Sequence, residues 1–167
     1  LGTVLEELAG RRFSDLCASL IWQPMGASAD AMLTVDRFGA PRTAGGMSCR
    51  PHDLLAVGQM LLDGGKVDDT QIVPPSWLDD MRNNGDEDVW ARGTQADFLA
   101  NGRYRSCWYQ VGGDSQAFLA AGIHGQYLYV DPESRTVIAK FASQDEPQDS
   151  KLDRENLALF ASLCSTS

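Results

Sequence analysis

Ala120-Ala121-Gly122-Ile123-His124-Gly125-Gln126-Tyr127-Leu128-Tyr129-Val130-Asp131-Pro132 decides how this chain is read. Two glycines and a histidine stand between two runs of strand character. Glycines this close together on a strand mark a place where a ligand or another segment presses on the backbone. One of the chain's two histidines falls in the same place. The stretch reads as one wall of a site, with Gly122 and His124 in it.

Working outward, residues 117–122 and 126–130 are the two strands, and Tyr127 and Tyr129 alternate on one face as packing residues. Asp131 to Arg135 is a turn that pairs the second strand with residues 136–142 as an antiparallel hairpin. Residues 104–111 form a further strand. Residues 155–164 close the chain as a helix, with Leu157, Leu159, Phe160 and Leu163 apolar.

The first half is helical. Leu1, Val4, Leu5 and Leu8 recur at helical spacing up to Gly10, predicting a helix with a buried apolar stripe. Residues 13–24 give a second helix with Leu16, Leu20 and Ile21 apolar. Residues 27–49 read as irregular. Residues 51–62 form a helix with Pro at its first turn, Asp53 favouring the dipole, and Gly64-Gly65 as the stop. Its apolar face, Leu54, Leu55, Val57, Leu61 and Leu62, reads as core. Pro74-Pro75-Ser76 starts a short helix to about Arg82 with Ser76 as its cap, and residues 83–101 read as a long surface loop. Helices, then a strand meander, then a helix make an α+β chain, taken as one region over 1–167.

The net charge of -9 excludes nucleic acid and an anionic membrane as partners, since both need a basic footprint. Four cysteines without a C-x-x-C pair and two histidines exclude the familiar zinc spacings. No cofactor or metal is expected. Widely spaced cysteines fit reduced thiols in a cytoplasmic protein, and no apolar run reaches membrane-spanning length. The first helix has neither a preceding cap nor an initiator Met, so the chain is expected to be part of something longer.

Catalytic motifs are sparse. G-x-S-x-G, S-x-x-K, H-E-x-x-H, the P-loop and G-x-G-x-x-G are all absent. A Cys–His pair, His124 serving Cys49 or Cys107, is one conceivable constellation. His52, in the first turn of a helix where a cation opposes the dipole, carries no assigned function.

Several segments together resemble the C-terminal portion of the serine β-lactamase-like hydrolases, and most of all the 6-aminohexanoate-dimer hydrolases and related esterases. They are residues 1–10 and 13–26, Leu33-Thr34-Val35-Asp36-Arg37, and Gly45-Gly46-Met47-Ser48-Cys49-Arg50-Pro51-His52-Asp53-Leu54-Leu55. Met60-Leu61-Leu62-Asp63-Gly64-Gly65 and Ala121 to Pro132 complete the set. The resemblance implies a β-lactamase/transpeptidase-like fold and acyl transfer to a serine. It places Ala120-Ala121-Gly122 where the family has Lys-Thr-Gly, and makes the Ile123 backbone N–H one oxyanion-hole donor. Such a donor is worth about 3 kcal/mol of transition-state stabilisation. The Ser-x-x-Lys and Tyr-x-Asn elements would lie upstream of Leu1.

Ala120, where β-lactamases carry a Lys for the substrate carboxylate, points away from β-lactams and towards a small-molecule ester or linear amide. By the same resemblance Trp108 lies on a pocket strand, or else is an ordinary sheet-face aromatic. Met47 and Ser48, after the Gly45-Gly46 pair, are candidates for lining the site from the other side. The resulting expectation is a C-terminal hydrolase fragment that is inactive alone and has the missing N-terminal part of its own chain as partner. A second copy of the chain, paired through an exposed sheet edge or face, is the other expected partner. The alternative is a non-catalytic small-molecule-binding module of the same ancestry.

Overall fold

A computed structural model describes residues 1–165; the last two residues of the predicted 1–167 region lie outside the described residues. In chain order the elements are α1 (Gly2–Ala9), α2 (Phe13–Cys17) running on as a π-helical turn (Ala18–Trp22), β1 (Met32–Leu33) and β2 (Met47–Ser48). They continue with α3 (Pro51–Leu62), β3 (Lys66–Val67), β4 (Thr70–Gln71), α4 (Pro75–Asn83) and α5 (Glu87–Ala91). The last part is β5 (Arg103–Arg105), β6 (Trp108–Gly112), β7 (Ser115–Gly122), β8 (Gln126–Asp131), β9 (Thr136–Lys140) and α6 (Ser150–Cys164).

Strands β5 to β9 form one antiparallel sheet in sequence order. Side chains on a strand alternate between faces, and the register sorts them cleanly. Phe118, Leu128 and Val130 point to one side, where Met60 and Leu61 of α3 and Leu78 and Met81 of α4 cover them. Leu119, Tyr127 and Tyr129 point to the other, under Phe160 of α6, with Trp90 and Leu99 packed on the same side. Gly58 lets α3 lie close, because a Cβ there would sit 2.3 Å from Val137 Cγ1. The architecture is the expected α+β, and both tyrosines pack as predicted.

Several local expectations are corrected. The strand predicted over 104–111 is two, β5 and β6, because Ser106 and Cys107 both take positive φ (52° and 68°) in a tight hairpin turn. The predicted loop 83–101 contains α5, capped by Asp86, whose carboxylate accepts from Val89 N. Trp90 and Leu99 in that segment are buried. Helix α6 starts five residues earlier than predicted, because Asp149 caps it by accepting from Lys151 N and Leu152 N. Ser76 is inside α4 rather than its cap, which is Pro74. Leu55 of α3 is exposed, and Asp53 is buried instead, accepting from Ser28 N at 2.6 Å.

The largest correction concerns the N-terminal helices. Leu1, Val4 and Leu8 are 84%, 57% and 81% exposed. Helix α1 packs on α2 and, through Gly2, against Pro41 and Thr43, which turns its apolar stripe outward. Leu20 and Ile21 are exposed as well. Among the described residues nothing covers this apolar surface.

Three carboxylates fasten elements together. Asp53 is held below the usual carboxylate range by the Ser28 N–H, Asp63 by the Gln59 amide and then Arg135, and Asp80 by Arg105 and then Asn84. A folded-state pKa below the unfolded value of about 3.9 stabilises the fold above that value. The contribution is lost as pH falls through the folded-state values. The urea midpoint is therefore expected to hold from pH 7 to 5 and to fall between pH 4 and 2. Asp80→Asn should flatten part of that fall; an unchanged acid slope would refute the assignment.

Candidate active site

Strand β7 overshoots β6. Tyr109 pairs with Leu119, so the first residue of β6, Trp108, stands opposite Ala120, and Ala121 and Gly122 extend past it. On that side the end of β7 has no neighbouring strand. A cleft of about 220 Å³ opens there, and Ala121, Gly122 and Ile123 form its sheet rim. Tyr109 and Tyr127 supply its floor, Phe98 and the segment around Thr94 one side, and Gln148, Ser150 and Asp153 the other.

The cleft is polar on the α6 side. The Tyr127 hydroxyl donates to Asp153 Oδ1. Burial, and then that carboxylate, hold the Tyr127 phenol strongly protonated. Burial raises the pKa of Tyr109 as well. Tyr109 is braced by edge-on rings from Trp90 and Phe98, at centroid distances of 5.8 and 5.4 Å. The two tyrosines offer a small molecule neutral hydrogen-bonding and apolar surface, and neither is a nucleophile at neutral pH.

The sequence-predicted site residues divide between places. Gly122 and Ile123 rim the cleft, Ile123 with its side chain half-exposed. His124 follows them in the β7–β8 turn but is not among the cleft-lining residues; its Nδ1 bonds Gln144 O at 2.8 Å. Trp108 lies on the opposite sheet face, packed at 5.5 Å on the Phe118 ring beneath α3 and α4. Met47 and Ser48 sit on β2, and Met47 lines a separate cleft with Cys17, Trp22 and Leu33. The structure thus brings together Gly122 and Ile123 and keeps the other four out of the cleft.

Sequence reasoning missed Tyr109, Phe98 and Asp153. Alternation along β6 meant that either Trp108 or Tyr109 could face the cleft, and only the register with β7 chose Tyr109. Asp153 carries no local signal at all, because what marks it is α6 docking beside Tyr127.

The Cys–His pair gains no support from this arrangement. The Cys49 thiol is raised by burial and then by the charge of Asp53, the wrong direction for a nucleophile. The His124 ring is held by the Gln144 carbonyl. Among the described residues no group of His, Cys, Asp and Glu is placed to hold a metal ion, and no helix is long and apolar enough to cross a membrane.

A 6-aminohexanoate-dimer hydrolase of Paenarthrobacter ureafaciens is 31% identical over 147 residues, which is 88% of this chain and 38% of that protein. A Bacillus anthracis structure provisionally named a 6-aminohexanoate-dimer hydrolase superposes with a TM-score of 0.82 at 25% identity. It covers 96% of this chain and 40% of its own. A provisionally named β-lactamase of Bacteroides dorei DSM 17855 shares the fold at a TM-score of 0.63 and 17% identity, over 94% of this chain and 54% of its own. The chain thus spans about two-fifths of the length of the hydrolases it matches. The β-lactamase family profile matches residues 1–162, nearly the whole chain, and the chain belongs to that family.

Proposed function

We propose that this chain is the part of a serine hydrolase that carries one wall of the active site, with its nucleophile on another part of the protein. The reaction is hydrolysis of an ester or linear amide through an acyl-enzyme. Ile123 contributes its backbone N–H to the oxyanion hole, and Gly122 forms the cleft rim beside it.

The observation that carries this reading is the free end of β7. It leaves Ala121, Gly122 and Ile123 at the rim of a cleft, with no strand between them and a bound acyl group. A backbone donor at a strand end is rigid and costs no reorganisation when charge develops. The outward apolar stripe of α1 supports the second half of the proposal, since an amphipathic helix is stabilised by burying that face. The occupant would be the remainder of the hydrolase. Ala120 favours neutral esters and amides over substrates recognised by a carboxylate.

The 167-residue chain alone is expected to turn over p-nitrophenyl acetate and butyrate no faster than buffer. Robust, saturable hydrolysis by it would refute the proposal. A second reading, a binding module without catalysis, is favoured by the lack of any Ser-x-x-Lys among the 167 residues. Reading the gene upstream of Leu1 separates the two. Ser-x-x-Lys followed by Tyr-x-Asn or Ser-x-Asn supports the hydrolase, and an initiator Met with neither supports the module.

A further inference from the structure

The turn that presents Ile123 is built at a cost and held by a dedicated set of contacts. Gly122 pairs with Gln126, leaving Ile123, His124 and Gly125 to reverse the chain. His124 takes φ of 58° and Gly125 φ of 79°. The left-handed region is unfavourable for a residue with a Cβ, so something must hold His124 there.

What holds it comes from residues 140–147. His124 N donates to Pro147 O at 3.0 Å, and Gln144 N donates to His124 O at 3.3 Å. The His124 ring bonds Gln144 O. Gln126 closes the arrangement: its Nε2 donates to His124 O at 3.1 Å and also to Ala142 O, and its Oε1 accepts from Ala142 N at 3.3 Å. Lys140 Nζ reaches Gly125 O at 3.2 Å. Gly125 takes the left-handed backbone freely, and a Cβ there would displace the end of the Gln144 side chain, whose amide carbon lies 2.5 Å away. Every one of these bonds falls on His124, Gly125 or Gln126, immediately after the residue at the cleft rim.

We propose that the Gln126 side chain is a positioning residue that, together with residues 142–147, fixes the direction of the Ile123 N–H at the cleft. The inference rests on the oxyanion-donor reading of Ile123. A side chain that bridges the turn to a neighbouring segment from both ends of its amide suits this task, because it restrains the turn without touching the substrate. An oxyanion donor displaced by about 1 Å loses on the order of a hundredfold in rate.

The test uses Gln126→Met, which keeps length and packing and removes only the amide. In the 167-residue chain, amide hydrogen exchange at His124 and Gln144, whose N–H groups donate within the clasp, is expected to quicken at least about tenfold. Leu119 and Val130 amides should not change. In the longer gene product carrying the serine, kcat for p-nitrophenyl butyrate is expected to fall about 10- to 100-fold with KM within about twofold. Should Gln126→Met fail to fold, His124→Asn removes the ring bond while tolerating the left-handed backbone, and the same two readouts apply.

Unchanged exchange at His124 and Gln144 overturns the clasp whatever the function. Quickened exchange with unchanged kcat overturns its positioning role. If the unsubstituted longer product has no esterase activity while exchange responds as expected, the oxyanion reading itself has failed, and the positioning role falls with it.

Discussion

Replacing Phe118 by alanine is expected to cost about 3–5 kcal/mol of folding stability. Phe118 lies in the middle of β7 and is 2% exposed. Its ring meets Trp108 edge-on at 5.5 Å, and the Arg82 guanidinium sits 5.8 Å from its centroid. The residues packed around it come from α3, α4 and β8, so no single element can shift to close the cavity. With a urea slope of about 2 kcal/mol/M, the midpoint should drop by about 2 M. A domain of total stability about 5–15 kcal/mol would lose a large part of it. Equilibrium urea unfolding followed by circular dichroism gives the answer; a loss below about 1 kcal/mol would mean that this side of the sheet is not a close-packed core.

Trp90→Ala is expected to be about as damaging, again about 3–5 kcal/mol, although it falls in a segment whose composition reads as a surface loop. Trp90 is 9% exposed, and its indole N–H donates to Leu99 O at 2.7 Å. Removing the ring empties the space between Tyr109 and Gly102 and also strands a buried carbonyl. Trp90→Phe keeps the ring but not the donor, and should cost about 1–3 kcal/mol. The second effect of Trp90→Ala is on the cleft, since residues 94–98 form one of its sides. Limited proteolysis should cut the alanine variant faster between 91 and 98 than elsewhere. Equal protection there would show that the segment is held by other contacts.

These two residues mark what was and was not legible. Phe118 belongs to a strand whose alternation is plain in the sequence, and the strands from 115 to 140 emerge nearly where the pattern puts them. Trp90 stands on a five-residue helix, too short for a 3.6-residue period to show among acidic neighbours. Its Asp86 cap shows in the structure, where the carboxylate accepts from Val89 N. Helix α1 differs in kind: its periodicity is that of an amphipathic helix, but periodicity says that a face is apolar and not what covers it.

The candidate site shows the same division. Gly122, His124 and Gly125 draw attention in the sequence because glycines and a lone histidine between strands are unusual. Trp108 and Tyr109 are neighbours with equal claims, and one-residue register decides which faces the cleft. The resemblance puts Trp108 on a pocket strand, with an ordinary sheet-face aromatic as the alternative; the sheet turns Tyr109 to the cleft and packs the half-buried Trp108 on Phe118.

The sequence by itself determined the α+β order, the strand meander, the acidic character and the family, because each is written in local pattern, composition or motif. Only the tertiary structure decided that the end of β7 stands free, that Asp153 meets Tyr127, and that residues 140–147 return to grip the turn after Ile123. Those are contacts between residues 15 positions or more apart, or properties of strand register. Neither leaves a trace in any short window of sequence.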